Sequence, residues 1–303
     1  MTALSQSLTP LALQKGGGVS RIGVVALQLE LRAEDNLDRI VAEIEAARRR
    51  LPWGELFALP ELCTYGPGVR NAQPPGSRAE SVYRDVARRP GIWLVPGSLL
   101  ERRGEAVHNV ALVIDPQGEV VGRYAKLFPF LPYEERVKGG GSFCTFRISE
   151  AGCCGLSICY DLWFPETSRT LAWLGAEVIL APTLTNTIDR DTELAIARAT
   201  AAINQCYVIN VNATGPLALG RSIACGPGGE VLHQAGTGQE VFAVLLDLAY
   251  VSRVRQQDWH GLGQNLKSFR DSGLRFPPYE AGARSAALDA LGPLEKPRST
   301  RSP

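Results

Sequence analysis

Two periods of apolar and polar positions run along this chain, one typical of strands and one typical of helices. Residues 22–29 are mostly apolar, which predicts a buried strand. Residues 34–50 repeat their apolar positions every three or four residues, which predicts an amphipathic helix. Short apolar runs at 56–59 and 93–96 predict two more buried strands, each of which stops at a proline.

The rest of the chain continues this alternation. Two apolar runs between residues 110 and 124 flank the turn Asp115-Pro116-Gln117-Gly118, a pattern typical of a β-hairpin. Further strands are predicted at 153–159, 177–181, 206–211, 222–224, 231–232 and 241–246, and helices at 165–174 and 191–205. Strands that alternate with helices, together with antiparallel hairpins, indicate an α/β protein whose large sheets are covered by helices.

The domain organisation follows from the absence of an internal repeat or a low-complexity linker in the middle of the sequence. We expect a flexible tail at residues 1–20, which contain a Lys-Gly-Gly-Gly run, and one domain at 21–275. Residues 276–303 are rich in Ala, Arg, Ser and Pro and are expected to form a tail or a dimer arm. At 303 residues the chain can bury a large core without disulfides.

Charge and composition exclude several functional classes. Lys plus Arg minus Asp plus Glu is 32 − 31 = +1, so no concentrated basic surface for nucleic acid or a membrane is expected. No apolar run approaches the roughly 20 residues of a membrane span, and no signal peptide is recognisable, so a cytoplasmic protein is expected. Its seven cysteines are then expected as free thiols, and their spacing does not favour a metal site.

Three short segments carry candidate chemistry. Glu61 follows a buried strand and Pro60, Lys126 leaves an apolar strand, and Cys159 lies at the exit of another. Each residue taken alone is typical of ordinary loops or core positions. Together they supply a nucleophile, a base and a fixed cation, and sites in α/β proteins gather where strands end.

A cysteine thiol needs help to react at neutral pH, because its reference pKa is about 8.5. Glu61 can accept the proton, and Lys126 can stabilise the oxyanion that forms when the sulfur attacks a carbonyl or nitrile carbon. Histidine is the more familiar base for a cysteine. His108 is the candidate upstream of Cys159, but it lies next to Asn109 at the start of an apolar strand and lacks flanking catalytic signals.

In this order the three segments resemble the nitrilase (carbon–nitrogen hydrolase) superfamily, with its catalytic Glu, Lys and Cys. The likeness covers roughly residues 21–275. It rests on the motifs Leu59-Pro60-Glu61, Tyr124-x-Lys126, Cys159-Tyr160-Asp161 and Phe164-Pro165-Glu166. Family members also place a second glutamate shortly after the lysine, and Glu134 matches that position, with the adjacent Glu135 as its alternative.

The resemblance implies a fold, an assembly and a mechanism. It implies a four-layer αββα sandwich, a homodimer or larger homo-oligomer, and no metal or organic cofactor. It also implies that Cys159 forms a thioester with a small-molecule amide, with the backbone N–H of Tyr160 aiding the oxyanion and Glu134 orienting water. Tyr65, Tyr160 and Trp163 are the candidates for substrate contacts.

The branch of the superfamily is a finer question. Cys159-Tyr160-Asp161 favours an amide over a nitrile, and Gly263-Gln264-Asn265-Leu266 looks most like aliphatic amidases and formamidases. The alternatives are a nitrilase, an N-carbamoyl amidohydrolase in which Arg190 or Arg169 holds a substrate carboxylate, and a catalytically silent binding protein. The sequence departs from its relatives at residues 136–141, which affects the shape of the pocket.

Overall fold

The computed structural model describes residues 21–148, 152–257, 260 and 262–296. The predicted N-terminal tail and residues 297–303 of the predicted C-terminal segment lie outside this described part. The strands are β1 (Arg21–Gln28), β2 (Leu56–Ala58), β3 (Trp93–Val95), β4 (Ser98–Arg103), β5 (Ala106–Ile114), β6 (Val120–Ala125), β7 (Thr145–Arg147), β8 (Cys153–Leu156), β9 (Val178–Thr183), β10 (Tyr207–Asn212), β11 (Ile223–Cys225), β12 (Val231–Gln234) and β13 (Glu240–Asp247).

The helices alternate with these strands along the chain. They are α1 (Leu37–Arg50), α2 (Arg78–Arg88), α3 (Pro165–Trp173), α4 (Arg190–Asn204), α5 (Leu248–Gln257), α6 (Asn265–Asp271) and α7 (Ala286–Asp289). Short 3₁₀ turns lie at Val69–Asn71, Cys159–Trp163 and Pro277–Tyr279.

Two sheets form the centre of the molecule. Within the described residues, the first sheet has the order β13-β1-β2-β3-β5-β4, with β6 also paired to β5. The second has the order β12-β11-β10-β9-β8-β7. Parallel pairs lie in the middle of each sheet: β1, β2 and β3 in the first, and β8, β9 and β10 in the second.

The core has three apolar layers, which give the predicted αββα sandwich. The middle layer lies between the sheets and contains alternate residues of facing strands, such as Val24 and Ala58 against Leu156 and Ile209. A second layer lies between the first sheet and helices α1 and α2. A third lies between the second sheet and helices α3 and α4. Because strand side chains alternate between faces, a strand buried on both faces is apolar throughout, as residues 22–27 are apart from Gly23.

The structure adds β4, β7, α2, α5, α6 and α7 to the predicted elements, and it shortens one predicted strand. The strand predicted at 153–159 ends at Leu156, because Cys159 begins a 3₁₀ turn with a positive φ of 47°. Helix α2 is absent from the predicted elements. Its buried residues, including Tyr83 and Val86, are separated by charged residues that face solvent. The segment is therefore polar on average, and the helical spacing of its apolar positions is hard to recognise in the sequence.

Candidate active site

Glu61 lies in the turn after β2 and is buried between the two sheets. Its backbone N–H donates to the carbonyl of Thr183 at the end of β9, 3.2 Å away, so the turn is tied to the second sheet. The next residue, Leu62, has a positive φ of 50°. Left-handed backbone at a residue other than glycine is uncommon and concentrates at functional sites. The turn therefore aims the carboxylate of Glu61 inward, where 2% of the residue is exposed.

Lys126 follows β6 directly and brings an ammonium group to that carboxylate. Its Nζ lies 2.9 Å from Oε1 of Glu61 and 2.9 Å from Oε2 of Glu134. Lys126 is 2% exposed, so its pair with Glu61 is buried, whereas Glu134, with 19% of its side chain exposed, lies at the edge of the cluster. An ammonium group has three N–H donors, and these two contacts leave the third for another acceptor.

The loop after Lys126 selects Glu134 and not Glu135 as the second carboxylate. Oε2 of Glu134 accepts from the backbone N–H of Phe130 at 2.6 Å as well as from Lys126, whereas Glu135 is exposed. The glycine run at 139–141 lies against this loop. A Cβ on Gly140 would lie 2.3 Å from the carbonyl oxygen of Ala125, so the absence of a side chain permits the approach.

Cys159 begins the 3₁₀ turn that follows β8, and Asp161 fixes that turn. The Asp161 carboxylate is fully buried and accepts from the hydroxyl of Tyr124 at 2.7 Å, from the N–H of Phe128 at 2.8 Å and from the N–H of Ile158 at 3.0 Å. Tyr124 and Phe128 lie on either side of Lys126. Asp161 therefore joins the turn that carries the thiol to the loop that carries the ammonium.

Burial and the charges of this cluster favour the neutral thiol of Cys159 over the thiolate. Burial raises the pKa of Glu61, and Glu134 raises it further, while Lys126 and a hydrogen bond with the Cys159 thiol lower it. Burial also raises the pKa of Cys159 well above its ordinary value, Glu61 adds to this, and Lys126 opposes it. Two carboxylates thus face one ammonium, and the thiol must lose its proton as it reacts.

Lys126 stays a cation under all ordinary conditions. Burial acts to lower the pKa of Lys126, but its electrostatic interactions with Glu61, Cys159 and Glu134 outweigh it, and the pKa is raised. A buried cation that is already in place can stabilise an oxyanion without the reorganisation that water would need.

Asn109 is a member of the site that the sequence interpretation passed over in favour of its neighbour. Nδ2 of Asn109 donates to Oε1 of Glu61 at 2.7 Å, and its backbone carbonyl accepts from the N–H of Lys126 at 2.8 Å. Side chains alternate between faces along β5, so His108 points to the opposite face and pairs in register with Glu101. This geometry excludes His108 as the base for Cys159. The signal for Asn109 in the sequence was a polar residue within an apolar strand.

The predicted substrate contacts divide into two groups. Tyr160 and Trp163 lie in the turn that starts at Cys159, and Tyr160 packs against Phe130 and Phe164 with ring centroids 5.0 and 5.1 Å apart. Tyr65 is half-buried against the core layer under α1 and α2. Burial raises the pKa of Tyr65, and Asp35, just before α1, adds to this, so its side chain lies beside that helix. Its role at the substrate stays a prediction.

The two arginines considered for a substrate carboxylate each contact another residue of the chain. Arg190 is 1% exposed, and its Nη1 lies 2.9 Å from Oε2 of Glu193. Arg169 lies over the ring of Phe269, 5.2 Å from its centroid. Within the described residues, no group of three or more His, Cys, Asp or Glu side chains is arranged to hold a metal ion. No helix in that part of the chain is long and apolar enough to cross a membrane.

Comparison with known proteins finds a match to one family and similarity to individual amidases. The sequence profile of the family described as carbon-nitrogen hydrolase matches residues 21–256. The deaminated glutathione amidase of Dictyostelium discoideum is 29% identical over 267 residues, which cover 78% of this chain and 91% of that protein. The 2-oxoglutaramate amidase of Bacillus subtilis is 30% identical over 214 residues, or 67% of this chain and 82% of that protein.

A solved structure extends the likeness to the fold. A mutant of the amidase from Nesterenkonia sp. AN1 matches with a TM-score of 0.68 and 25% identity, over 80% of this chain and 96% of that one. It shows covalent addition of the acetamide moiety of fluoroacetamide at its active-site cysteine. The predicted sandwich is confirmed by this likeness. The catalytic roles of Glu61, Lys126, Cys159 and Glu134 stay predictions, which their proximity supports.

Proposed function

The chain belongs to the carbon–nitrogen hydrolase family, and from that premise we propose that it hydrolyses a small, uncharged amide to a carboxylic acid and ammonia through a thioester on Cys159. The observation that carries this proposal is the buried cluster in which Lys126 joins Glu61 to Glu134 beside the turn of Cys159. The relatives from Dictyostelium discoideum and Bacillus subtilis are amidases, and this cluster with Cys159 supplies a nucleophile, a base and a cation for amide hydrolysis.

The first half of the reaction forms the thioester. Glu61 takes the proton of Cys159 as the sulfur attacks the amide carbon, and the negative charge moves to the amide oxygen. The third N–H of Lys126 and the backbone N–H of Tyr160 stabilise that oxyanion. When it collapses, the carbon–nitrogen bond breaks, Glu61 returns the proton to the nitrogen, and ammonia leaves.

The second half releases the acid. Glu61 removes a proton from water, whose oxygen attacks the thioester carbon while Glu134, held by Lys126 and Phe130, helps to orient it. The carbon–sulfur bond then breaks, and the proton held by Glu61 returns to the sulfur. One carboxylate thus serves as base and acid in both halves, which a pKa raised by burial permits.

The surroundings of Cys159 favour an uncharged acyl group. Two buried cations lie near it, Lys126 and Arg190, and each is already paired with a carboxylate. The rings of Phe130, Tyr160 and Trp163 supply apolar surface at the same turn. The names of the relatives favour the alternative, an amide that also carries a carboxylate, as 2-oxoglutaramate does.

The test is ammonia release from a panel of amides with the Cys159→Ala variant alongside. The panel contains propionamide, 2-oxoglutaramate, a simple nitrile and an N-carbamoyl amino acid. We expect the highest kcat/KM on the uncharged amide and a loss of about a thousandfold or more in the variant, because the covalent step has no other nucleophile. Cys144→Ala, which changes a half-buried free cysteine elsewhere in the fold, is the matched control and should keep its activity.

Two results would contradict separate parts of this proposal. Undiminished turnover by Cys159→Ala would contradict the thioester mechanism. A higher kcat/KM on 2-oxoglutaramate than on propionamide would leave the mechanism intact and replace the uncharged substrate with an anionic one.

A further inference from the structure

A row of buried, hydrogen-bonded polar side chains reaches Cys159 from the second sheet: Thr185, Glu193 and Arg190. The Sγ of Cys159 lies 3.9 Å from Oγ1 of Thr185, just beyond the end of β9. Oγ1 of Thr185 lies 2.9 Å from Oε1 of Glu193, and Oε2 of Glu193 lies 2.9 Å from Nη1 of Arg190. Thr185, Glu193 and Arg190 are 6%, 7% and 1% exposed, so water does not compete for these contacts.

Arg190 fixes this row of polar side chains in place. Nη2 of Arg190 donates to Oδ1 of Asn210 at 2.8 Å and to the carbonyl of Arg221 at 2.7 Å, and Nε donates to the carbonyl of Gly220 at 3.2 Å. The guanidinium is thus fixed on several sides, and Glu193 is fixed by it. The backbone N–H of Thr185 donates to Oδ1 of Asn212 at 2.9 Å, which fixes the threonine as well.

The direction of the Thr185 hydrogen bond follows from proton counting. A threonine hydroxyl has one proton and two lone pairs, and an ionised carboxylate can only accept. With its proton donated to Glu193, Thr185 presents only lone pairs to the sulfur. Those lone pairs repel a thiolate, whereas a neutral thiol can keep its S–H on Glu61 while its sulfur lies beside them.

We propose that Thr185, fixed by Glu193 and Arg190, is a positioning residue that holds Cys159 as a neutral thiol until Glu61 takes its proton during attack on the substrate. This inference rests on the proposed function, because it concerns the same nucleophile. Its chemical consequence is that the resting sulfur is protected from oxidants and alkylating agents, which react with thiolates.

The other charges around the sulfur are consistent with this role. They are Glu61 after β2, Lys126 after β6, Glu134 in the following loop, Asp161 in the turn of the cysteine, and Glu193 and Arg190 on α4. Burial raises the pKa of Cys159 most, Glu61 and Glu193 add to it, and Lys126 and a backbone hydrogen bond with Leu184 lower it. Glu193 therefore acts on the sulfur in the same direction as the lone pairs of Thr185.

The test is the pH dependence of Cys159 alkylation by iodoacetamide, followed by mass analysis of the peptide that contains Cys159. In Thr185→Val the side chain keeps its shape but loses the oxygen. We expect the midpoint of the alkylation profile to move to lower pH. At pH values below both midpoints, a midpoint that is lower by about one pH unit should make alkylation about tenfold faster. Thr185→Ser keeps the hydroxyl and should retain the midpoint of the unmodified protein.

A control separates this effect from a loosened fold. Thr200→Val makes the same change at a threonine of α4 that is 4% exposed, and its midpoint should not move. An unchanged or raised midpoint in Thr185→Val would overturn the proposal, since it would mean that Thr185 has no effect or donates to the thiolate. Equal shifts in both valine variants would also overturn it. Alkylation needs no amide substrate, so this result is independent of whether the proposed hydrolysis is observed.

Discussion

Several residues at this site have a backbone conformation or a charge that is unfavourable by itself and that the surrounding structure stabilises. Leu62 and Cys159, which adjoin or carry the reacting groups, have left-handed backbone at a cost of roughly 1–3 kcal/mol each. The carboxylates of Glu61 and Glu134 share one ammonium, so the site has an excess of negative charge before substrate binds. We therefore expect this negative charge to affect the pH dependence of the reaction.

Replacement of Glu134 by Gln should move the acidic limb of the kcat/KM profile to lower pH. Burial is the largest cause of the raised pKa of Glu61, and the Glu134 charge adds to it. Without that charge Glu61 loses its proton more easily, so the base is available at lower pH. We expect kcat itself to fall by about ten- to a hundredfold, because Lys126 loses one of its two anchors. A pH series of initial rates measures both effects.

Glu135→Gln is the matched control for this experiment. Glu135 is exposed and next in sequence, so the variant makes the same chemical change outside the cluster. We expect its pH profile to equal that of the unmodified protein. An acidic limb that moves to higher pH in Glu134→Gln would be incompatible with the charge argument.

At the scale of secondary structure, the site is built where strands end. Glu61 follows β2, Lys126 follows β6, Cys159 follows β8 and Thr185 follows β9. Strand ends are rigid, but the turns beyond them need neighbours that hold their shape. Gly97, between β3 and β4, is such a neighbour, because a Cβ there would lie 1.7 Å from the carbonyl oxygen of Pro60.

Replacement of Gly97 by Ala should reduce both stability and activity. Its φ is +70°, so alanine would cost about 1–2 kcal/mol from backbone conformation alone, and the overlap with Pro60 would add to that. The overlap can be relieved only by moving the turn that carries Glu61. We therefore expect a lower free energy of unfolding in urea and a lower kcat.

The Gly104→Ala variant distinguishes the cost of the backbone conformation from the effect of the overlap with Pro60. Gly104 also has a positive φ, of 60°, but a Cβ there would meet nothing within 4 Å. We expect this variant to lose only the conformational contribution and to keep its kcat. If Gly97→Ala behaved in the same way as Gly104→Ala, the close approach to Pro60 would have no role in placing Glu61.

At the scale of the whole molecule, the two sheets are joined by polar links as well as by the apolar layer between them. Gln28, at the end of β1 in the first sheet, is fully buried. Its Oε1 accepts from the backbone N–H and the hydroxyl of Ser222, which precedes β11 in the second sheet, both at 2.8 Å. Its Nε2 donates to the carbonyls of Gly236 and Gly238. This side chain is one of the links that join the two sheets at that end.

Replacement of Gln28 by Leu should destabilise the fold through unpaired groups. The buried backbone N–H of Ser222 would lose its partner, and a buried group left unpaired costs about 1–3 kcal/mol. Urea unfolding measures the change. Gln239→Leu removes an exposed glutamine and should change the free energy of unfolding little. Similar losses in the two variants would argue against a role for the buried link.

The sequence alone predicted many of the elements and the candidate reacting residues of this protein. Backbone geometry imposes the strand and helix periods locally, so residues 22–29 and 34–50 indicated β1 and α1 within a few positions. The motifs around Glu61, Lys126 and Cys159 identified the family, which the family match confirms. Their proximity could be expected because sites in α/β proteins gather just past strand ends. The predicted homodimer and cytoplasmic location stay predictions.

Only the tertiary structure decided which neighbours complete the site. Asn109 and not His108 contacts Glu61, because a shift of one residue along β5 reverses the face of the sheet. Glu134 and not Glu135 contacts Lys126, because the loop donates the N–H of Phe130 to one of them. Thr185 meets the sulfur from 26 residues away. Local periods determine which face a side chain occupies, but contacts between distant segments depend on strand register and sheet packing, which no short stretch of sequence contains.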